Sequence, residues 1–243
     1  MPRLGYVDQA RLRRDEALVE ARRLSPHTLG YALCNAVFVD WSIEGTKSAQ
    51  TMLRRAEEAS DISSEQGFSE WLALGTAIRG WCLGVLGQAA DGIPLLMQGL
   101  AARRAISTNL LPFLLTTLAE VYGMAGYMDK GLARLAEAAK LVETTQERWA
   151  EAEMYRIRGK LLLSKNENVL AEESYRRALT VAREQSAKFW ELRATLALAH
   201  LWGDQGKAQQ ARELLAPVYG WFTEGFDTRD LKEAKALLDE LAA

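Results

Sequence analysis

Cysteine and histidine are scarce in this chain. It has two of each, Cys34 and Cys82, His27 and His200. No second histidine or cysteine stands four residues beyond either histidine. The one histidine near a cysteine, His27, is seven residues from Cys34, two helical turns away. Neither a disulfide framework nor a zinc site is expected, and the cysteines read as buried packing thiols suited to a reducing cytoplasm. Proline is almost as rare, with five in 243 residues, which leaves long stretches free to be helical. No apolar run approaches the ~18–20 residues of a membrane span. Met1 to Glu20 carries charge throughout and lacks the apolar core of a secretory signal. The formal net charge is −2, so no overall field draws the chain to nucleic acid or to an anionic membrane. These absences predict a soluble, cytoplasmic protein with neither nucleic acid nor membrane among its partners.

Catalytic patterns are missing too. Gly203-Asp204-Gln205-Gly206-Lys207 has the wrong glycine spacing for a phosphate loop, and Ala208 stands where a Ser or Thr would bind Mg²⁺. It reads as a turn between helices. Glu57-Glu58 and Glu172-Glu173 are neighbours on helices and read as solvated faces rather than catalytic dyads. Basic clusters at Arg11, Arg13 and Arg14, at Arg22-Arg23, at Arg54-Arg55 and at Arg103-Arg104 are interleaved with acids. Ion pairing on helix surfaces is the simpler account of them. No enzyme, no cofactor and no metal are expected.

What the chain does have is a repeat. Tyr155, Gly159 and Leu162 share one face of a helix, and Ala171, Tyr175 and Ala178 share one face of a second. Small residues at 159, 171 and 178 let the two helices approach, while the large ones fill the gaps. The pair of small markers seven apart recurs at Ala10/Ala17, Ala49/Ala56, Gly92/Gly99 and Gly131/Ala138, and again at Ala211/Val218. The intervals are 39, 43, 39, 40 and 40 residues. Leu53, Leu96, Leu135, Tyr175 and Leu215 hold the large position four residues after the first marker. One such unit cannot bury its own apolar face, so the copies must stack.

The offsets in 155–178 resemble the tetratricopeptide pattern, with each helix almost a turn longer than usual. The expected fold is all-α, a right-handed α-α superhelix of about twelve helices without a sheet. It reads as a single repeat domain over 1–243, with a half repeat at 1–23 and hairpins at 27–64, 68–106, 112–144, 148–184 and 189–219. A linker at 219–227 precedes a capping helix at 228–241. Turns are expected at Gly45-Thr46, Gly87, Gly126 and Gly206, with Lys165–Asn168 replacing the glycine in the fifth unit. The half repeat lacks its first helix, so the array is expected to have continued upstream. Its first helix should fray or find a substitute surface, self-association included.

The C-terminal stretch Leu214-Leu215-Ala216-Pro217-Val218-Tyr219, followed by Trp221-Phe222-Thr223-Glu224-Gly225-Phe226-Asp227-Thr228, carries a more specific likeness. With Gly80-Trp81, Leu118 to Tyr122 and Arg148 to Glu153, it resembles the helical-repeat region of bacterial multidomain signalling proteins of the adenylate cyclase and predicted ATPase type. It is also similar to the repeats of MalT-like transcription activators, which sense an inducer sugar. The resemblance implies a non-catalytic interaction and regulatory module whose partner is a protein or peptide, such as upstream cyclase or ATPase domains of the same polypeptide. The alternatives are a sensor for a small-molecule effector and a structural spacer.

Counting from the markers places one set of side chains on the concave, first-helix face. Its N-terminal half is aromatic, with Phe38, Trp41 and Trp81; Glu120 follows. Its C-terminal half is charged, with Glu153, Arg156, Lys160, Arg193 and His200. A peptide with an apolar segment and an acidic end matches that division. Arg156, Lys160 and Arg193 are expected to lie together, with Glu120 and Glu153 offsetting part of their repulsion. A functional cluster would receive a carboxylate or phosphate from a partner, and the alternative is that Glu153 pairs with Arg156 at i+3.

Overall fold

The structure is a computed structural model that describes residues 5–44 and 48–242. Among these residues it has twelve α-helices and no strand. They are α1 (Val7–Leu24), α2 (Pro26–Glu44), α3 (Ala49–Gln66), α4 (Ser69–Val85), α5 (Ala89–Ile106) and α6 (Leu111–Met124). They continue with α7 (Met128–Thr145), α8 (Glu151–Ser164), α9 (Asn168–Glu184), α10 (Lys188–Asp204), α11 (Ala208–Tyr219) and α12 (Arg229–Glu240). Consecutive helices pack in pairs, α2 with α3, α4 with α5, α6 with α7, α8 with α9 and α10 with α11. This is the helical solenoid that the repeat predicts. The turn expected at Gly45-Thr46 lies outside the described residues. Those at Gly87, Gly126 and Gly206 are left-handed glycines, and Asn166, at φ 61°, does the same work in the fifth pair.

The markers explain how each pair closes. Every marker is buried except Ala17. In the α4–α5 pair the glycines bring backbone against backbone. A Cβ on Gly92 would lie 2.5 Å from the carbonyl oxygen of Gly80, and one on Gly99 would lie 2.7 Å from that of Ala73. The large position then drops into the seam, with Leu96, Leu135, Tyr175 and Leu215 buried and Leu53 half-buried. Ala17 is exposed on α1. The same helix leaves Leu12, Val19 and Leu24 more than half exposed.

Packing divides the chain into two compact units. One is Gln9–Glu147; the other joins Met1–Asp8 to Arg148–Ala243. In the first, α1 is tied by charge: Arg14 and Arg55 both reach the buried carboxylate of Asp40, and Arg22 pairs with Glu58. In the second, Phe189 and Trp190 at the start of α10 are fully buried, and Phe222 packs edge-to-face on Phe189. The expected linker at 219–227 is a loop anchored by the buried Phe222 and Gly225. Val7 is buried against Gly225, and Tyr6 meets Trp221 edge-to-face. The Asp8 amide donates to Glu224 Oε1 at 3.1 Å, while the Gly225 amide donates to Asp8 Oδ2 at 3.3 Å. Residues 6–8 thus dock on this loop, within the same unit.

Candidate functional site

In the Gln9–Glu147 unit, Gly80 draws α5 against one side of α4, and the neighbouring Trp81 is turned toward α6. Its indole N–H donates to Glu120 Oε2 at 2.9 Å, one repeat further on. Phe38 and Trp41 from α2 both meet Phe113 of α6 edge-to-face, at 5.0 Å between ring centroids. Trp41 and Trp81 are 6% and 3% exposed. The cleft left between Trp41, Ile78, Trp81, Phe113 and Thr117 has a volume of about 10 Å³. That is room for about one water and far below the ~300–1,000 Å³ of a ligand pocket. The aromatic half of the expected groove is thus brought together, and its rings fill the space between helices.

The charged half lies in the other unit, where Arg156 and Arg193 come together on Glu153. Glu153, buried at 1% exposure, sits between two arginines. Arg156 Nε donates to its Oε2 at 2.5 Å, and Arg193 Nη1 donates to its Oε1 at 3.0 Å. Arg193 Nε also donates to Asp230 Oδ2 at 2.6 Å, so a carboxylate from α12 closes the other side of the guanidinium. Burial pushes the Glu153 carboxyl up, but Arg156 and Arg193 more than offset this and hold it below the usual range. Burial likewise opposes the charge on Arg193, and Asp230 and Glu153 restore it. The repulsion expected between Arg156 and Arg193 is offset by the Glu153 carboxylate they share. Lys160 stays exposed on α8. His200 faces Glu233 at 3.2 Å, and that hydrogen bond raises the histidine pKa and lowers that of the glutamate. Both thiols are buried, and desolvation lifts Cys34 and Cys82 to about 12, too high for a nucleophile.

A recess that the marker counting passes over lies between the second helices α5 and α7, with α6 at its floor. Met97, Leu100 and Arg104 of α5, Leu118 and Tyr122 of α6, and Lys130 and Arg134 of α7 surround a groove of about 370 Å³. The floor is apolar, and Met97 is 49% exposed. Arg104 and Arg134 both pair with Glu137, the latter at 2.8 Å. Lys130 Nζ lies 4.6 Å from the centre of the Tyr127 ring and 5.9 Å from that of Tyr122. In sequence the only trace of this groove is the pair Arg103-Arg104, and the two arginines part company. Arg103 turns inward, 2% exposed, to Glu70 and to the Asn109 carbonyl, while Arg104 reaches the surface.

No protein-family model matches the chain, and no curated protein is significantly similar to it. The likeness to cyclase- and ATPase-associated repeats therefore rests on the quoted residues alone. Among the described residues no helix is long and apolar enough to cross a membrane, and no group of three or more His, Cys, Asp or Glu is placed to hold a metal ion.

Proposed function

We propose that the chain is a non-catalytic interaction and regulatory module of a larger signal-transduction protein of the cyclase or ATPase type, working in the cytoplasm. The observation that carries this is the contrast between its occupied polar groups and a recess open to solvent. Glu153, Arg193, Asp40 and Arg103 are buried and committed to partners that tie helix to helix. The α5–α7 groove instead turns apolar walls and cations to solvent. A helical scaffold with such a recess suits the docking of a protein segment.

Reading the coding sequence upstream of this chain, and measuring binding of the purified chain to the domains found there, tests the proposal. Saturable binding in the micromolar range or tighter is expected, with neither ATP hydrolysis nor cyclic AMP formation by the chain itself. Turnover that follows the protein through repurification overturns it, as does the absence of any upstream domain that the chain binds. A second reading, an effector-sensing domain of MalT-like type, draws on the size of the same groove, which falls within the range of small-ligand pockets.

A further inference from the structure

The walls of the α5–α7 groove have helix-packing periodicity. On α5 they are formed by residues 97, 100, 101 and 104, and on α7 by 130, 133 and 134. These are successive i, i+3 and i+4 positions, two ridges such as one helix presents to another. The floor between them is Leu118 with the Tyr122 ring, whose hydroxyl approaches Met97 Sδ at 3.5 Å. The surroundings are cationic. Arg104, Arg134 and Lys130 stand around the recess, and the carboxylate of Glu137 is shared by the two arginines. Lys130 rests on tyrosine rings rather than on a carboxylate. Arg104 and Arg134 are 50% and 41% exposed, so their charges are reachable.

We propose that this groove receives an acidic amphipathic helix of a partner protein. Its apolar stripe would lie on Met97, Ala101 and the Tyr122 ring, and a carboxylate at its edge would meet Lys130 and Arg104. An apolar strip along α5, with Met97 and Ala101 exposed, faces a largely cationic ridge on α7. It calls for an apolar stripe of matching spacing, and three cations beside one carboxylate select acidic flanks over basic ones. The proposal rests on the reading of the chain as an interaction module and names the partner that its groove fits.

The probe is a short fluorescent peptide with leucines at i, i+3 and i+4 flanked by glutamates, followed by anisotropy. One control replaces its glutamates with lysine, and another replaces its leucines with serine. The acidic peptide should bind saturably and lose affinity with salt; both controls should bind weakly. Lys130→Glu and Met97→Asp change exposed side chains and should each weaken binding about tenfold, the range of one charge-assisted contact. Glu137→Gln releases two arginines and should tighten it several-fold. Lys130→Gln, with an intermediate loss, replaces Lys130→Glu if circular dichroism shows that variant misfolded.

Equal affinity for the lysine control, indifference to these variants, or no binding of the acidic peptide overturns the proposal. So does binding confined to small carboxylates or to anionic phosphatidylserine vesicles. The two readings fail separately. If upstream domains bind Lys130→Glu as tightly as the native chain, the groove assignment falls and the module reading stands. If the peptide binds but no upstream domain does, the reverse holds.

Discussion

The α4–α5 pair and the α8–α10–α12 face solve the same packing problem in opposite ways. In α4–α5 the helices meet through glycine, backbone on backbone, with no side chain to yield. On α8, α10 and α12 the contact runs through long charged side chains, Arg156–Glu153–Arg193–Asp230 and His200–Glu233. A glycine contact is short-ranged, indifferent to pH and intolerant of one methyl group. A buried ion-pair ladder tolerates small shifts but depends on every charge being matched. Even among the glycines the two regions differ, since a Cβ on Gly159 would meet the Tyr175 ring rather than backbone.

Removing one charge from the ladder should have the largest effect. Glu153→Ala leaves Arg193 buried with half its partners and should destabilise the chain by roughly 3–5 kcal/mol, read from urea unfolding midpoints. The native Glu153 carboxyl is held below its usual value. Its contribution is therefore complete above the unfolded-state pKa and disappears as pH falls through the folded one. Glu153→Ala should flatten that acid limb. An unchanged midpoint would show that the ladder contributes nothing to stability.

Next in size, Gly80→Ala should cost about 3 kcal/mol, the upper end for overpacking, because its new methyl group meets the backbone of α5. Gly159→Ala should cost nearer ~1 kcal/mol, because the Tyr175 ring can shift by rotation where a backbone cannot. Equal losses at the two glycines would erase the distinction between the two kinds of contact.

Hydrogen exchange offers a finer test on α1, which leaves Ala17, Leu12 and Val19 exposed. Amides in its middle should exchange faster than those of α4, which is buried along most of its length. Comparable protection in a proven monomer would contradict the reading of α1 as a half repeat.

The smallest effect expected is a pH dependence at α12. The His200 pKa is raised from 6.5 by Glu233, with Asp204 and Glu240 adding to the same sign. The stability it contributes is complete below the unfolded-state value and fades as pH rises through the raised folded value. Protection of α12 amides should decline slightly over that interval, and His200→Gln should remove the decline. A profile that His200→Gln leaves unchanged would sink this assignment.

Much of the fold was legible because periodicity needs no tertiary information. Small markers about forty residues apart define hairpins, and the glycine turns punctuate them. The site was less legible. Trp81 and Glu120 lie on facing positions, as the repeat spacing implies, but nothing in the spacing says whether two such groups hold each other or wait for a ligand. Asp230 escaped notice because it lies beyond the repeats, on a helix whose stacking position has no counterpart in the periodic pattern. Arg103 and Arg104 are adjacent and chemically identical, yet one is buried and the other faces the groove. A helix turns about 100° per residue, and only the neighbouring helices decide which side is inside.

The sequence by itself determined the helical class, the pairing of helices and the close approach within each pair, because these follow from local spacing and from residue size. Tertiary structure alone decided which charges meet, where a recess stays open, and that residues 5–8 dock on the loop at 221–225. Those outcomes depend on groups tens to hundreds of residues apart arriving at the same place, and on burial that makes an unmatched charge costly.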